Sequence, residues 1–581
     1  MAIFTPSESP AVVVKEIDLT SVVPNVQSTT GAFVGNFRWG PVEDPVKIDN
    51  EATLASVFAT PSDSSAIDYL SAAYFLRYSG ALQVVREVTE EARSAVDVTA
   101  FDSAGGHTTI IKNDADFESQ ELTLAAGGAS DPLFVAKYPG SLGNSLKVSY
   151  CPVSTSDSAF DNWAYTTSFD QAPGTSSFAA SRSSSNDEIH VVVVDEDGLL
   201  TGTIGQVVET YPYVSVAADA KNEDGSSNFY KDVINARSRY IWATDADGRA
   251  GGNWGENAAD AVTFDSAHND AVTLSFVGGV NSTTLGTQEY ATGFDLFEDK
   301  DVIEIDFLIA PGMNARVDQT TIVNDLVGIA QQTRKDCVVV TSPARSDIVN
   351  NSDPVGSAVT TANTFTSSSY LVVDNNYLKV YDKYNDKYRF IPAASSTAGI
   401  MAASDLNFAP WYSPAGSRRG QLLGITGLSY TPTKSQRDTL YKAGINPIAN
   451  IPGQGVLLYG DKTKLGRPSA FDRINVRRLF LVIERAIARA AESTLFEFND
   501  EFTRAEFVNI VEPFLRNIKG RRGITDFRVV CDETNNTADV IDRNEFIASI
   551  FIKPARSINY ITLNFVGVRT GVDFDEVVGL V

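Results

Sequence analysis

Val302–Pro343 reads VIEIDFLIAPGMNARVDQTTIVNDLVGIAQQTRKDCVVVTSP, and the order of its three parts decides the fold class. VIEIDFLIAPG (Val302 to Gly312) is an apolar run of strand length, ended by Pro-Gly. Ile322, Leu326, Ile329 and Ala330 then fall on one helical face. CVVVTSP (Cys337 to Pro343) is a second buried strand. Strand, helix and strand within about 40 residues make a parallel pair joined by a right-handed crossover. An α/β domain is therefore expected around this segment.

The same alternation appears nearer the N-terminus. GAFVG (Gly31 to Gly35) reads as a short strand into a turn, followed by the loop FRWGP. Asp63 or Ser64 can cap a helix through Ile67, Leu70, Tyr74 and Leu76, and LQVVREV (Leu82 to Val88) is a strand. Residues 21–90 and 205–355 are accordingly expected to build one α/β domain. Between them, residues 91–204 change character: Ser, Thr, Gly and Asp dominate, and VVVVDEDGLLTGTI (Val191 to Ile204) reads as a hairpin with a DEDG turn. This stretch is expected to be an inserted, acidic, β-rich domain, because excursions from exposed loops cost little closure entropy.

Beyond residue 355 the elements change order. The alternating YLKVYDKYNDKYRF (Tyr377 to Phe390) suggests a hairpin. From about Asp472, Val476, Leu479, Phe480, Ile483 and Ile487 keep helical steps, with Arg477, Arg478, Arg485 and Arg489 on the other side. A second helix is expected to open on a Thr503-x-x-Glu506 capping box, to carry Phe507, Ile510, Val511, Phe514 and Ile518 inward, to kink at Pro513 and to end at Gly520. The strands FRVVC, EFIASIFIKP and INYITLNFVGV follow. Helices followed by antiparallel strands predict a compact α+β unit. The whole of 356–568 is expected to form this C-terminal domain.

Both ends of the chain are strand-forming. Val12, Val14, Ile17 and Leu19 lie in an N-terminal arm, residues 1–20, fenced by Pro6, Pro10 and Pro24. Val572, Phe574, Val577 and Val578 lie in a C-terminal arm, residues 569–581. Each arm can pair within its own chain, or add a strand to the sheet edge of a neighbour. A subunit that donates and accepts arms makes head-to-tail contacts, which build rings or open helices.

Composition narrows the function classes. The 581 residues carry a net charge of -26, so nucleic acid and anionic membranes are poor partners. Residues 91–200 hold 5 Lys and Arg against 16 Asp and Glu, whereas residues 466–581 are nearly balanced at 16 against 17. The balanced region suits close packing against neighbours. The 3 Cys (Cys151, Cys337 and Cys531) are widely spaced and imply no disulfide framework. The opening MAIFTPSESP has neither basic start nor apolar core, so no secretory leader is expected, and no apolar run reaches the roughly 18 residues of a membrane span.

Catalytic and cofactor signatures are missing from the sequence. The 3 His (His107, His190 and His268) lie apart from one another and from any Cys, so no zinc motif forms. Gly453-Gln-Gly455 lacks the third glycine of a dinucleotide fingerprint, and Gly460-DKTKL-Gly466-Arg467 has one residue too many for a phosphate loop and Arg in place of Lys-Ser/Thr. Both read as turns. Asp195-Glu-Asp197-Gly198 and Asp245-Ala-Asp247-Gly248 lack the spacing of a calcium loop and read as solvated turns. No catalytic residue, metal ligand or cofactor is assigned.

Against this background several segments resemble the tail sheath proteins of contractile-tailed bacteriophages. At the N-terminal side they are SPAVVVKEIDLT, TTGAFVGNFRWGP and DYLSAAYFLRYSGALQVVREV. At the C-terminal side they are AGIMAASD, APWYSPAG, AGINPIANIPGQGVLLYGDKT, INVRRLFLVIERAI and FRVVCDETNN. The resemblance covers residues 1–90 and about 370–581 well, 205–345 loosely, and 91–200 not at all. It implies a structural subunit and not an enzyme. It implies hexameric rings of this chain stacked around a tail tube above a baseplate, closed by a terminator protein, with arms interlaced in the C-terminal domains of neighbours. It also implies contraction of the stack, and a place in the virion after assembly in the host cytoplasm. The basic cluster Lys519, Arg521 and Arg522 then either faces an acidic tube or compensates a helix C-terminus. Arg477 and Arg478 either meet acidic neighbours in the lattice or form a solvated face. A sheath from a phage-derived injection machine (a tailocin) and, more distantly, an α/β enzyme of unknown substrate are the alternatives.

Overall fold

A computed structural model of the chain describes residues 29–97, 109–124, 132–153, 159–244, 252–266 and 270–559. Both arms, with Val12, Val14, Ile17, Leu19, Val572, Phe574, Val577 and Val578, lie outside the described residues, as does Asp245–Gly248. The described chain is mixed α/β, as expected, and forms two compact units, the larger spanning Asn25–Pro410 and Pro414–Arg485.

The larger unit opens with β1 (Gly31–Gly35), β2 (Val46–Ile48), α1 (Glu51–Phe58), α2 (Ala66–Leu76) and β3 (Leu82–Arg86). β1 pairs β3 in parallel, and β2 lies antiparallel on the outer side of β3. The chain then makes its long excursion. β4 (Phe134–Ala136) pairs antiparallel with β8 (Ile241–Ala243). β5 (Leu146–Pro152), β6 (Glu188–Asp195), β7 (Gln206–Ser215) and β9 (Val272–Ser275) form an antiparallel sheet in the order β7-β6-β5-β9.

On its return the chain lays down β10 (Phe307–Ile309), α3 (Arg316–Gly328), β11 (Val338–Thr341) and β12 (Leu371–Asp374). The crossover predicted from Val302–Pro343 is present: Phe307 pairs Val338 and Ile309 pairs Val340 in parallel. The strand itself is shorter than the apolar run. Asp306 stands just before it, its backbone still bonding Thr30 O and Val338 N while its carboxylate accepts from Thr30 N and from Arg485.

Next come the antiparallel hairpin β13 (Tyr377–Asp382) and β14 (Lys387–Pro392), the helix α4 (Ala394–Asn407), β15 (Gly427–Leu428) and β16 (Ile445–Asn446), and then the hairpin β17 (Ile448–Ile451) and β18 (Gly455–Leu458). Gly453 and Gly455 have φ of 77° and 82° and turn the last hairpin, so the Gly-Gln-Gly segment is a turn, as read.

The main sheet has seven strands in the order β16-β12-β11-β10-β1-β3-β2. Its inner strands β1, β11 and β12 are buried on both faces, which is why β11 and β12 read as unbroken apolar runs, whereas the edge strand β2 is partly exposed. Phe33, Val84, Phe307, Ile309, Val338, Val340 and Val372 point to the face covered by α2 and α4. Ala32, Val34, Val85, Leu308, Val339 and Val373 point to the face covered by Ile322, Val323, Leu326 and Val327 of α3.

This topology corrects two expected boundaries. The excursion does not close at residue 204, because β7 pairs β6 and β9 pairs β5. It leaves and returns where Arg93 N donates to Val280 O at 3.0 Å and Val280 N donates back to Arg93 O at 3.1 Å. The expected hairpin within Val191–Ile204 is likewise replaced by β6 and β7, joined by residues 196–205. Buried Asp195 organises that loop, accepting from Leu200 N at 3.0 Å and Thr201 N at 2.7 Å. The α/β domain does not stop at 355 either: β12 and β16, which lie beyond it, complete the sheet.

Two buried ionisable groups sit at the root of the excursion. The Arg86 guanidinium donates to Phe37 O, Gly40 O and Pro139 O at 2.9, 2.8 and 2.6 Å, tying β3 and its neighbouring loop to the inserted sheet's first turn. Glu87 beside it is 2% exposed, and its Oε1 has no hydrogen-bond partner among the described residues.

The smaller unit includes Trp411–Ser413 and the chain from Ala486. It holds the end of α5 (Ile474–Glu492), then α6 (Glu501–Gly520), β19 (Ile524–Val530) and β20 (Ser549–Pro554). α6 starts a turn before the expected capping box: Asp500 is the N-cap and accepts from Thr503 N at 2.8 Å, so Thr503 is already helical. The helix runs uninterrupted through Pro513, which lies on its exposed side, and ends at Gly520 as expected. Its buried stripe is Phe507, Val511, Leu515 and Ile518. The left-handed residue that closes it is Arg522, with φ of 67°, after which Gly523 N donates to Ile518 O at 2.9 Å.

Candidate assembly interface

Two short strands are the centre of the candidate site. β19 and β20 pair antiparallel from Ile524↔Pro554 to Val530↔Ser549, and among the described residues neither strand has a second partner. A lone two-stranded sheet is marginal in water, and its two outer edges present unpaired backbone donors and acceptors. α6 packs on β19. Along β20, Ile550 and Ile552 are half-buried while Phe551 and Lys553 are exposed. Ile547 and Ile558, at either end of β20, are exposed as well. Apolar side chains on an open edge are what an incoming strand would cover.

The basic cluster sits at the end of α6, and its members differ. Lys519 donates to Asp526 Oδ1 at 3.1 Å, and this ammonium holds the Asp526 carboxyl below its usual range. The Arg521 guanidinium lies 5.0 Å from the centre of the Trp411 ring, whose Nε1 donates to Arg521 O at 3.1 Å. Arg522 is exposed in the left-handed conformation. All three side chains reach solvent at a helix C-terminus, the end at which positive charge is favourable.

Arg477 and Arg478 are different, and the expectation of a solvated or lattice-facing pair is corrected. Both are buried in the larger unit. Arg478 Nη1 donates to Asp405 Oδ1 at 2.6 Å and to Met401 O at 3.0 Å, and its guanidinium lies 4.6 Å from the Phe307 ring centre. Arg477 donates to Ser369 Oγ from Nε and Nη2 and lies between the Tyr370 and Phe471 rings, at 4.3 and 4.2 Å. Burial pushes the Arg477 pKa down. Arg485 follows the same rule, bonding Asp306 Oδ1 at 2.7 Å. The face opposite the apolar stripe of α5 is therefore a second buried face. Arg stems and planar heads can pack against aromatic rings and carboxylates, which a binary polar/apolar reading misses.

Sequence reasoning also passed over the turn between α5 and α6. Leu495, Phe496, Phe498 and Phe502 are all exposed, and Phe496 has φ of 69°. The signal was present as TLFEFNDEF, a cluster of three Phe in a polar connection where none is needed for a core. Among the described residues no group of His, Cys, Asp and Glu is arranged to hold a metal ion, and no helix is long and apolar enough to cross a membrane.

Comparison with known proteins places these surfaces in context. Residues 284–464 match the model of the phage tail sheath protein central domain, and residues 467–566 that of the phage tail sheath C-terminal domain. The tail sheath protein of Vibrio phage KVP40 is 32% identical, over 98% of this chain and 99% of that protein. That of Enterobacteria phage T4 is 30% identical over the same shares. The crystal structure of a sheath tail protein from Listeria innocua has the same fold, with a TM-score of 0.54 and 13% identity over 92% of this chain and 93% of that one.

Proposed function

The chain belongs to the phage tail sheath protein family, and on that premise we propose that it polymerises as stacked hexameric rings around a tail tube and contracts to drive that tube through the host envelope. It is a structural protein, not an enzyme. Its work is done by changing subunit contacts: the extended stack is metastable, and shortening releases energy as better contacts form, with no nucleotide consumed.

The observation that carries this reading is the two-stranded β19–β20 sheet, both of whose edges are open among the described residues. An N-terminal arm through Val12, Val14, Ile17 and Leu19 and a C-terminal arm through Val572, Phe574, Val577 and Val578 supply the missing strands from neighbouring copies. Such tethers hold rings together while they slide and rotate. Lys519, Arg521 and Arg522 face the tube, where an acidic partner would complement them. The tube protein, the baseplate and the terminator complete the partners; the assembled protein is part of the virion and is put together in the host cytoplasm.

The test is assembly of the purified chain followed by negative-stain electron microscopy. Hollow striated tubes of uniform width are expected, alone or on addition of the cognate tube and baseplate. Deletion of 1–20 or of 569–581 is expected to leave a folded monomer that forms no tubes. Normal tubes from both deletions would refute the strand-exchange reading; no tubes from the full chain even on its cognate tube would refute the polymerisation itself.

A further inference from the structure

We propose that the turn between α5 and α6 docks, in the polymer, on an arginine-rimmed apolar patch of the larger unit of a second copy of this chain. This contact is separate from strand exchange and rests on the polymerisation proposed above.

The turn has the properties of an interface anchor and none of a monomer's core. Phe496 is fully exposed while holding a left-handed backbone that a bulky residue avoids. Leu495, Phe498 and Phe502 are exposed around it. Nothing within the described chain repays that exposure and that backbone strain, and such uncompensated features mark sites where a partner does. The rim is uniformly acidic: Glu492, Glu497, Asp500 and Glu501 are all exposed. Between residues 490 and 515 the one basic side chain is Arg504, which is buried. A surface that receives this turn therefore needs an apolar floor and a basic rim.

Such a surface exists on the same chain. Leu406, Phe408, Leu423 and Tyr459 are exposed large apolar residues of the larger unit. The loop at 416–423 carries Leu423, bonds the strand that leads to Tyr459, and reaches Phe408 through Arg419. Gly416 N donates to Leu458 O at 2.9 Å, Leu458 N to Gly420 O at 2.8 Å, and Leu422 N to Val456 O at 3.1 Å. The rim carries arginines. The Arg419 guanidinium lies 5.4 Å from the Phe408 ring centre, Arg437 lies 5.8 Å from that of Tyr459, and Arg418, next to Arg419 in sequence, is exposed. Aromatic rings already backed by arginine suit an incoming phenylalanine edged by carboxylates. Turn and patch are different surfaces of one chain, so the contact is heterologous and propagates from copy to copy instead of closing on itself.

The test uses the full-length chain and reads the concentration needed for polymerisation. Phe496→Ser with Phe498→Ser is expected to raise it about tenfold or more, as loss of a buried aromatic anchor does. Glu497→Arg with Glu501→Arg, and separately Arg418→Glu with Arg419→Glu, are each expected to raise it; combining the two charge reversals is expected to restore it, an outcome that misfolding cannot give. A photo-crosslinking phenylalanine analogue at 496 in mixed heavy and light chains is expected to join peptide 495–502 of one copy to peptide 406–423 or 434–459 of another. Tubes that form at the wild-type concentration from all variants, or a crosslink confined to one chain or made only to the tube protein, would overturn the docking while leaving polymerisation standing. Failure of the unmodified chain to polymerise at all would overturn both.

Discussion

Glu87→Gln tests the electrostatics at the root of the inserted domain. Burial pushes the Glu87 carboxyl up to about 8 from an ordinary 4.5, and the nearby Glu43 and Glu289 charges add to the rise while Lys112 and Arg86 oppose it. Gly293 allows this placement, since a Cβ there would stand 2.9 Å from Glu87 Oε1. The unfolded chain gives up this proton near pH 4.5, whereas the folded chain keeps it to about 8. Between those values the folded state binds more protons, so stability falls as pH rises, by about 1.4 kcal/mol per pH unit. From pH 5 to pH 7.5 the loss is about 3 kcal/mol. Gln cannot ionise, so the variant gains on the wild type by that amount across the window, while every other titrating group is common to both. Urea unfolding followed by tryptophan fluorescence reads the difference well. Four of the 5 Trp, namely Trp39, Trp163, Trp242 and Trp254, are buried in the inserted domain or at its root. A variant-minus-wild-type gap that stays constant from pH 5 to 7.5 would refute the assignment of a buried, protonated Glu87.

Three further substitutions test the packing. Arg478→Ala strands the Asp405 carboxylate, which is 3% exposed, and is expected to cost about 3–5 kcal/mol in urea unfolding, with Arg478→Met plus Asp405→Leu recovering most of it. Gly523→Ala places a methyl 2.7 Å from Ile518 Cγ2 and 3.0 Å from the Trp411 ring, and is expected to destabilise the smaller unit by about 1–3 kcal/mol, visible as early hydrogen exchange in α6 and β19. Asp500→Ala removes the cap on Thr503 N and is expected to cost about 1 kcal/mol, with exchange rising first in the opening turn of α6.

What was legible in the sequence was local and periodic. The crossover through Val302–Pro343, the Tyr377–Phe390 hairpin and the helix ending at Gly520 follow from short-range patterns that the fold keeps. The boundaries at 204 and 355 failed because each rested on a change of composition, whereas membership of a sheet is settled by distant pairing such as Val148↔Leu274 or Val373↔Ile445. Arg477 and Arg478 were read as surface because charge usually marks solvent. Their partners, Ser369 and Asp405, lie about 70 to 110 residues away and carry no sign of the pairing. Of the candidate interface, FRVVC and EFIASIFIKP read as strands and, among the described residues, pair only with each other, while the expected strand INYITLNFVGV lies beyond them from residue 560 on. The aromatic turn was visible as letters and overlooked because connections are assumed to be polar.

The antiparallel contact of Arg93 with Val280 means that the inserted domain leaves and rejoins the body through a doorway one residue pair wide. Everything beyond that doorway can be exchanged without re-threading the seven-stranded sheet. The seams to mend include Trp39 against Tyr138 and Tyr240, the Arg86 bond to Pro139 O, and Val42 and Glu43 against Lys112 and Asn113. A short turn joining residue 93 to residue 280 gives a minimal chain on which unrelated modules can be mounted. In the polymer proposed above, such a chain would be a scaffold whose decoration changes independently of the subunit contacts.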